Sequence, residues 1–143
     1  MMAIHFPQHD FKIKKEKGSE YIFDEVRSKW VRLLPEEWVR QNFLQYLVQQ
    51  KNYPRSLMAV EKEIQLHELK KRCDIVIYKN AAPWMVIECK EPAVQLNDAV
   101  LQQALRYNIQ LQLPYIIITN GNSTYGWEIQ NGAAVLLKEI PTW

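Results

Sequence analysis

Residues Cys73 to Lys90 read CDIVIYKNAAPWMVIECK and carry the strongest signal for the fold. Its two ends are short apolar runs rich in β-branched residues, and its middle, Lys79 to Pro83, is made of turn-forming residues. Apolar runs of this length around a turn signal predict a β-hairpin.

The position of the turn sets the register of this hairpin. If the turn is centred on Ala81, Asp74 lies opposite Glu88, and both carboxylates share one face. The other face pairs apolar residues with each other, as a core face requires. The further pairs that this register predicts are Arg72 with Lys90, Cys73 with Cys89, Ile75 with Ile87, Val76 with Val86, Ile77 with Met85 and Tyr78 with Trp84.

Asp74 and Glu88 would place two carboxylates at one end of a central sheet. Carboxylate oxygens are the ligands that Mg²⁺ prefers, and alternation brings Lys90 to the same side of the strand as Glu88. This arrangement indicates a metal-dependent nuclease site, in which the ammonium reaches a phosphate oxygen beside the ion. The alternative is a solvated strand end with a weak surface ion pair. Because facing carboxylates repel, removing one of them should slightly stabilise the metal-free fold.

A helix is predicted from Asn97 to Gln112, with Asn97 or Asp98 as its cap. Gln103 and Tyr107 stand one turn apart on this helix and therefore share a face. Tyr107 can be explained by packing on the sheet alone. The amide of Gln103 suits a bridge to the lysine or to a DNA phosphate.

A second helix is predicted to begin at Pro35 and to run to about Gln50. Its first turn carries Glu36 and Glu37, whose side chains diverge by about 100°. Only one of the two can therefore face the sheet edge near Asp74. Both acids would also complement the dipole at the start of the helix.

These segments together resemble the type I restriction enzyme R protein N-terminal family of the PD-(D/E)xK nuclease superfamily. The resemblance covers roughly Pro35 to Trp127 and is most specific in Glu88-Cys89-Lys90 and in the Gln103-x-x-x-Tyr107 pattern. Cys73 stands where the name of the superfamily has proline.

The resemblance implies roles for the individual residues. Asp74 and Glu88 would bind Mg²⁺ or Mn²⁺, and Lys90 would orient or activate the attacking water. Gln103 and Tyr107 would support the site from their helix. A glutamate of the first helix often joins the metal site in such nucleases, and Glu36 is slightly favoured over Glu37 by its spacing to Arg40.

The expected architecture is α/β, a central mixed β-sheet flanked by helices with a restriction-endonuclease-like core. A chain of 143 residues with 48% hydrophobic content can bury a core of its own and reads as a single domain. Residues 1–34 are expected to form an N-terminal extension packed on the core, and residues 35–143 the nuclease-like domain. The extension holds a candidate strand at residues 21–23 and a short helix or extended segment at 26–31, and residues 125–129 and 133–137 read as a closing hairpin.

The function predicted from the sequence is Mg²⁺-dependent DNA endonuclease activity. The rival interpretation is a non-catalytic DNA-docking or assembly module that keeps the nuclease fold. A net charge of +2 predicts modest nonspecific affinity for DNA. Other subunits of a restriction-modification system or a helicase are the further expected partners, and RNA stays open as a substrate.

The location expected for the chain is the cytoplasm, without a membrane partner. The chain lacks an apolar run of about 18 residues, and its first 17 residues lack the apolar stretch of a signal peptide. Cys73 and Cys89 are expected to be reduced and to pack as small hydrophobic residues.

Overall fold

Two α-helices cover opposite faces of a six-stranded sheet in the computed structural model, which describes residues 1 to 143. A separate three-stranded sheet precedes this unit in the chain. The elements in chain order are β1 (Ile13–Glu16), β2 (Ser19–Asp24), β3 (Lys29–Arg32), α1 (Pro35–Gln50), a 3₁₀ turn (Arg55–Leu57), β4 (Met58–Leu66), β5 (Leu69–Lys79), β6 (Ala82–Cys89), α2 (Asp98–Ile109), β7 (Tyr115–Thr119), β8 (Thr124–Gln130) and β9 (Ala133–Leu136).

The larger sheet has the strand order β4-β5-β6-β7-β8-β9, and only β6 and β7 run parallel. Parallel neighbours need a crossover connection, and α2 provides it. The observed architecture confirms the predicted α/β fold with a mixed sheet. Helix α1 begins at Pro35 as predicted, and the side chain of Asn97 caps α2 by accepting a hydrogen bond from the Val100 amide.

Both faces of the sheet are buried because successive residues of the central strands pack on different sides. Ile75, Ile77 and Ile87 join the core cluster that contains Phe43 and Leu47 of α1. Their chain neighbours join the second cluster, together with α2, and the central-strand members of that cluster are Val76, Val86, Ile116 and Ile118. Alternating burial of this kind fixes the register of each strand.

The predicted register of the β5–β6 hairpin is confirmed in its centre and wrong at its turn. Ile75 pairs with Ile87, and Ile77 pairs with Met85. Tyr78, however, pairs with Pro83 and not with Trp84, because the register shifts between Ile77 and Tyr78. The turn consists of two residues, Asn80 and Ala81, with φ of 54° and 63°. A two-residue turn with positive φ at both positions matches the twist of the strands, and the bulge restores the register that buries the apolar residues.

The predicted pairing of Cys73 with Cys89 is wrong. The β5–β6 ladder ends at Ile75 and Ile87. Cys73 packs in the cluster on the α2 side, whereas Cys89 packs in the cluster on the α1 side. Both thiols are free and buried, as expected. Strand β5 begins at Leu69, so the basic run before Cys73 also belongs to the strand.

Residues 1–34 pack against the α1 side of the larger unit. Ile22 of β2 is fully buried, and the ring of Phe6 meets the rings of Phe43 and Tyr46 edge-on. The helical alternative for residues 26–31 is wrong, because β3 occupies the end of that segment as the third strand of an antiparallel sheet. Strands β8 and β9 form the predicted closing hairpin. The chain contains no helix with the length and apolar character that crossing a membrane requires.

We predict that replacing Ala81 with glycine stabilises the fold. Ala81 has a φ of 63°, where a Cβ is disfavoured and glycine is not. The free energy of unfolding, measured by urea denaturation, should rise by about 0.5 to 1 kcal/mol. Ala82→Gly is the matched control, since Ala82 is the first residue of β6 and should lose stability. Destabilisation by Ala81→Gly would contradict the two-residue turn.

Candidate functional site

Asp74 lies where strands β5 and β6 separate. Its Oδ2 accepts a hydrogen bond of 2.8 Å from the Cys89 amide, and its Oδ1 accepts one of 3.0 Å from Arg40 Nη2. Because the β5–β6 ladder ends at Ile75 and Ile87, the carboxylate satisfies an amide that no carbonyl of β5 pairs. Asp74 therefore links β5 to β6 and, through Arg40, to α1.

The neighbouring strand is distorted at the same level. Glu61 of β4 lies opposite Asp74, between the pairs Val60–Ile75 and Lys62–Cys73. Its φ is 52°, in the left-handed region that a glutamate in a strand rarely adopts. Strained backbone of this kind persists only where the surroundings fix it, and it is common at functional sites.

Glu88 and Lys90 lie together at the end of β6, with Glu88 Oε2 3.4 Å from Lys90 Nζ. They line a cavity of about 350 Å³. Gln103 and Tyr107 of α2 line the same cavity, so the structure brings four of the predicted site residues together around one space. The remaining lining residues are Val100 and Ala104.

Asp74 lies beside this cavity and not in its wall. It is joined to the cavity through the bond to Cys89, the residue between Glu88 and Lys90. The ladder does not pair Asp74 with Glu88 or Arg72 with Lys90, since it ends at Ile75 and Ile87. In the chain as a whole, no group of three or more His, Cys, Asp or Glu side chains is arranged to hold a metal ion.

Glu36 and Glu37 have different surroundings. The side chain of Glu37 is buried, and its carboxylate binds Arg27 and Arg40 at 3.0 and 2.7 Å. The side chain of Glu36 is 49% exposed and lies 3.9 Å from Arg40. Burial and the negative charge of Asp74 raise the pKa of Glu36, while Arg40 and Lys90 act in the opposite direction. Glu36 is therefore the acid on α1 whose charge interacts with those of Asp74 and Lys90, and Glu37 belongs to an internal ion-pair network.

That network joins the small sheet to α1. Asp24 is fully buried and accepts hydrogen bonds from the Arg27 backbone and side chain and from Gln41. Burial acts to raise the pKa of Asp24, but these hydrogen bonds hold it below its usual value. Arg40 is also buried. Burial acts to lower its pKa, but Glu37 and Asp74 outweigh this effect and raise it, so the guanidinium stays charged beneath the site.

Sequence reasoning missed Arg40, Lys71 and Asn108 as parts of the site. Asn108 Nδ2 lies 3.5 Å from Glu88 Oε1 and donates to the Ala104 carbonyl at 2.8 Å. Arg40 lies one helical turn from Glu36 and Glu37, and the spacing that favours Glu36 in the sequence is also the signal for an ion pair with Arg40. For Lys71 no such signal exists, because its position in a basic run predicts an exposed side chain.

Lys71 is a buried lysine whose ammonium has no hydrogen-bond partner. Its Nζ lies 3.0 Å from the centroid of the Tyr107 ring, so the ring face stabilises the charge. Burial lowers the pKa of Lys71 to about 8, despite the negative charge of Glu88 nearby. Tyr107 is half exposed, so the same ring contacts Lys71 of β5 and lines the cavity.

Comparison with known proteins identifies a family and solved structures with a similar fold. The family model described as type I restriction enzyme R protein N terminus matches residues 35–141. A solved fragment assigned as an HsdR subunit of a type I restriction enzyme from Vibrio vulnificus YJ016 superimposes with a TM-score of 0.54 at 20% sequence identity. The match covers 76% of this chain and 24% of that chain, so this chain spans about a quarter of its length. No curated protein sequence matches.

Asp74→Ala is expected to destabilise the metal-free protein. This corrects the expectation from the sequence, since Asp74 accepts bonds from Arg40 and from the Cys89 amide. Its loss should lower the free energy of unfolding by about 2 kcal/mol in chemical denaturation, because the Arg40 guanidinium and the Cys89 amide would both lose their hydrogen-bond acceptor. Glu68→Ala, in an exposed turn, is the control and should change little. A variant as stable as the wild type would show that like-charge repulsion dominates at this position.

Tyr107→Phe and Tyr107→Leu separate the ring from the hydroxyl. The phenylalanine keeps the ring face under Lys71 and should be nearly neutral, whereas leucine should lose about 1 kcal/mol of stability. The folded protein releases the Lys71 proton near pH 8, well below the usual pKa of 10.5. The difference between the two variants should therefore shrink in thermal melts as the pH rises above about 8. A constant difference from pH 6 to 9.5 would exclude the cation–π contact.

Proposed function

Given that the chain belongs to the type I restriction enzyme R protein N-terminal family, as the match over residues 35–141 shows, we propose that it is a metal-dependent nuclease that hydrolyses phosphodiester bonds in DNA. The observation that supports this most is the cavity shared by Glu88, Lys90, Gln103 and Tyr107 beside the anchored carboxylate of Asp74. Acid, lysine and amide groups around one space are what phosphodiester hydrolysis needs.

Asp74 and Glu88 are the residues that would hold Mg²⁺ or Mn²⁺. A carboxylate has about four acceptor sites, and each Asp74 oxygen uses one of them in the bonds to Cys89 and Arg40. Mg²⁺ in enzymes is usually held by one or two carboxylates, with water and substrate phosphate in its other positions. Two carboxylates at the strand end therefore fit the ion, although no third acidic group joins them. When bound, the ion would polarise the scissile phosphate and offset its charge.

We assign to Lys90 the role of orienting or activating the attacking water. Its Nζ is held at the cavity by Glu88 and is 37% exposed at the side chain, so it can donate a hydrogen bond to a water or to a phosphate oxygen. The Gln103 amide lines the same cavity from α2 and would steady the phosphate or the lysine. Glu36, whose pKa is shifted by the charges of Asp74 and Lys90, would support the site from α1.

A docking module with a nuclease fold is the second candidate function. The observation that favours it is that both Asp74 oxygens already accept hydrogen bonds within the protein, as a structural aspartate would. In either case we propose DNA and other subunits of a restriction-modification system as the partners. A cytoplasmic location stays a prediction from the sequence.

Lys90→Ala should abolish cleavage and leave DNA affinity nearly unchanged. Nicking of supercoiled plasmid with Mg²⁺ or Mn²⁺ is expected in the wild type and should stop on chelation. Cleavage by the variant should fall at least about 100-fold, while affinity changes less than about threefold, because one ammonium contributes little to a binding footprint of many phosphates. Lys90→Arg should be similarly inactive, since a guanidinium does not replace a compact ammonium.

Lys138→Ala removes the same charge from an exposed position beyond β9 and is the matched control. It should cleave like the wild type. If the wild type cleaves no supercoiled, linear or single-stranded DNA with either metal, and Lys90→Ala behaves identically in every assay, the docking module replaces the enzyme.

A further inference from the structure

The outer face of the small sheet carries aromatic and cationic side chains in alternation. Strand register places Tyr21 beside Lys14 and Arg32, and Phe23 beside Trp30. The opposite face holds Ile22 and Asp24, which are fully buried. We call the outer set the aromatic–cationic face, and it consists of Lys12, Lys14, Tyr21, Phe23, Trp30 and Arg32.

The rings of this face contact lysine ammonium groups and each other, and they are not part of either hydrophobic core cluster. Lys14 Nζ lies 4.6 Å from the centroid of the Trp30 ring, and Lys12 Nζ lies 5.8 Å from that of Phe23. Phe23 and Trp30 meet edge-to-face at 5.4 Å, and Trp30 is 39% exposed. One acid, Glu16, pairs with Lys14 at the end of β1 and offsets a single charge. The face is therefore an open row of rings with net positive charge.

Rings and cations in this arrangement suit an unpaired nucleic-acid strand. Nucleobases stack on exposed aromatic side chains, and lysine and arginine track the phosphates between them. The bases of a duplex stack on each other and offer no free face to such a sheet. A hydrophobic protein surface would gain little from the cations, so charge complementarity favours the single strand.

The face continues into the candidate site. Trp30 and Arg32 also line a cavity of about 600 Å³, and Glu36, Arg40 and Glu91, the residue after Lys90, line the same cavity. The arginines and lysine of this cavity are matched in number by its glutamates, of which Glu37 and Glu61 are paired with arginines. The cavity therefore connects the aromatic–cationic face to the residue that follows Lys90 at the end of β6.

We propose that the aromatic–cationic face binds an unpaired stretch of DNA and leads it to the Lys90 end of the site. This inference rests on the proposed nuclease function and specifies the substrate of that function. Residues 12–32 lie outside the region that the family model matches. The family match therefore does not account for this surface, which assigns single-stranded or locally opened DNA as the substrate class.

Binding of a fluorescein-labelled thymidine oligonucleotide of about 15 nucleotides tests the proposal, with fluorescence anisotropy as the readout and a duplex of equal length beside it. Trp30→Ala should weaken single-strand binding at least about fivefold and leave duplex binding nearly unchanged. Trp38→Ala removes a similarly exposed tryptophan from α1 and should bind normally. Lys14→Ala should weaken binding more than Lys15→Ala, because Lys15 is on the same strand but alternates to the other face.

Trp30→Phe and Trp30→Leu decide the question if the alanine variant does not fold. Phenylalanine should retain most of the single-strand affinity, and leucine should lose it. Equal binding by the two, equal losses with Trp30 and Trp38 variants, or no single-strand binding by the wild type would overturn the proposal. Plasmid nicking separates the two hypotheses. If the wild type nicks plasmid but single-strand binding does not depend on Trp30, the proposed role of this face is rejected and the nuclease function is not. If single-strand binding depends on Trp30 but no plasmid is nicked, the nuclease function is rejected and the binding role of this face is not.

Discussion

The hydrogen bond from the Cys89 amide to the Asp74 carboxylate is the interaction on which the site depends. It closes the gap that the end of the β5–β6 ladder leaves, and it fixes the residue between Glu88 and Lys90. Because an unpaired amide is costly, the carboxylate cannot turn away without loss of stability. Arg40 holds the other oxygen of the same carboxylate from α1. One acidic side chain thus sets the relative positions of a helix and two strands.

The charges around this bond are arranged at a cost to the fold. Arg40 is buried, its Nε has no hydrogen-bond partner, and its remaining nitrogens depend on Glu37 and Asp74. Glu61 is held with a positive φ on the adjacent strand, where arginines bind its carboxylate. Buried ion pairs and strained backbone seldom improve stability, and proteins retain them mainly where function requires them. This concentration of cost at one strand end is consistent with the proposed site.

The features that could be predicted from the sequence are those set by the spacing of apolar residues and by the residues at the helix starts. The alternating apolar residues of β5 and β6 defined the sheet and the central register, and Pro35 and Asn97 defined where the helices begin. Features set by tertiary contacts could not be predicted. The bulge at Ile77 and the separation of Cys73 from Cys89 arise because the turn and the Asp74 bond constrain opposite ends of one hairpin. The Lys71–Tyr107 contact joins β5 to α2 through two residues that are distant in the sequence, and a basic run carries no signal for it.

We propose that Asp74 and Glu88 hold a divalent cation beside Lys90 while Asp74 keeps its bond to the Cys89 amide. Anomalous scattering from crystals soaked in MnCl₂ tests this metal site. A manganese peak is expected in contact with one oxygen of each carboxylate, absent from crystals of Glu88→Gln, with the Asp74–Cys89 bond retained. A peak elsewhere on the protein, or none at a manganese concentration that supports cleavage, would rule out this metal site.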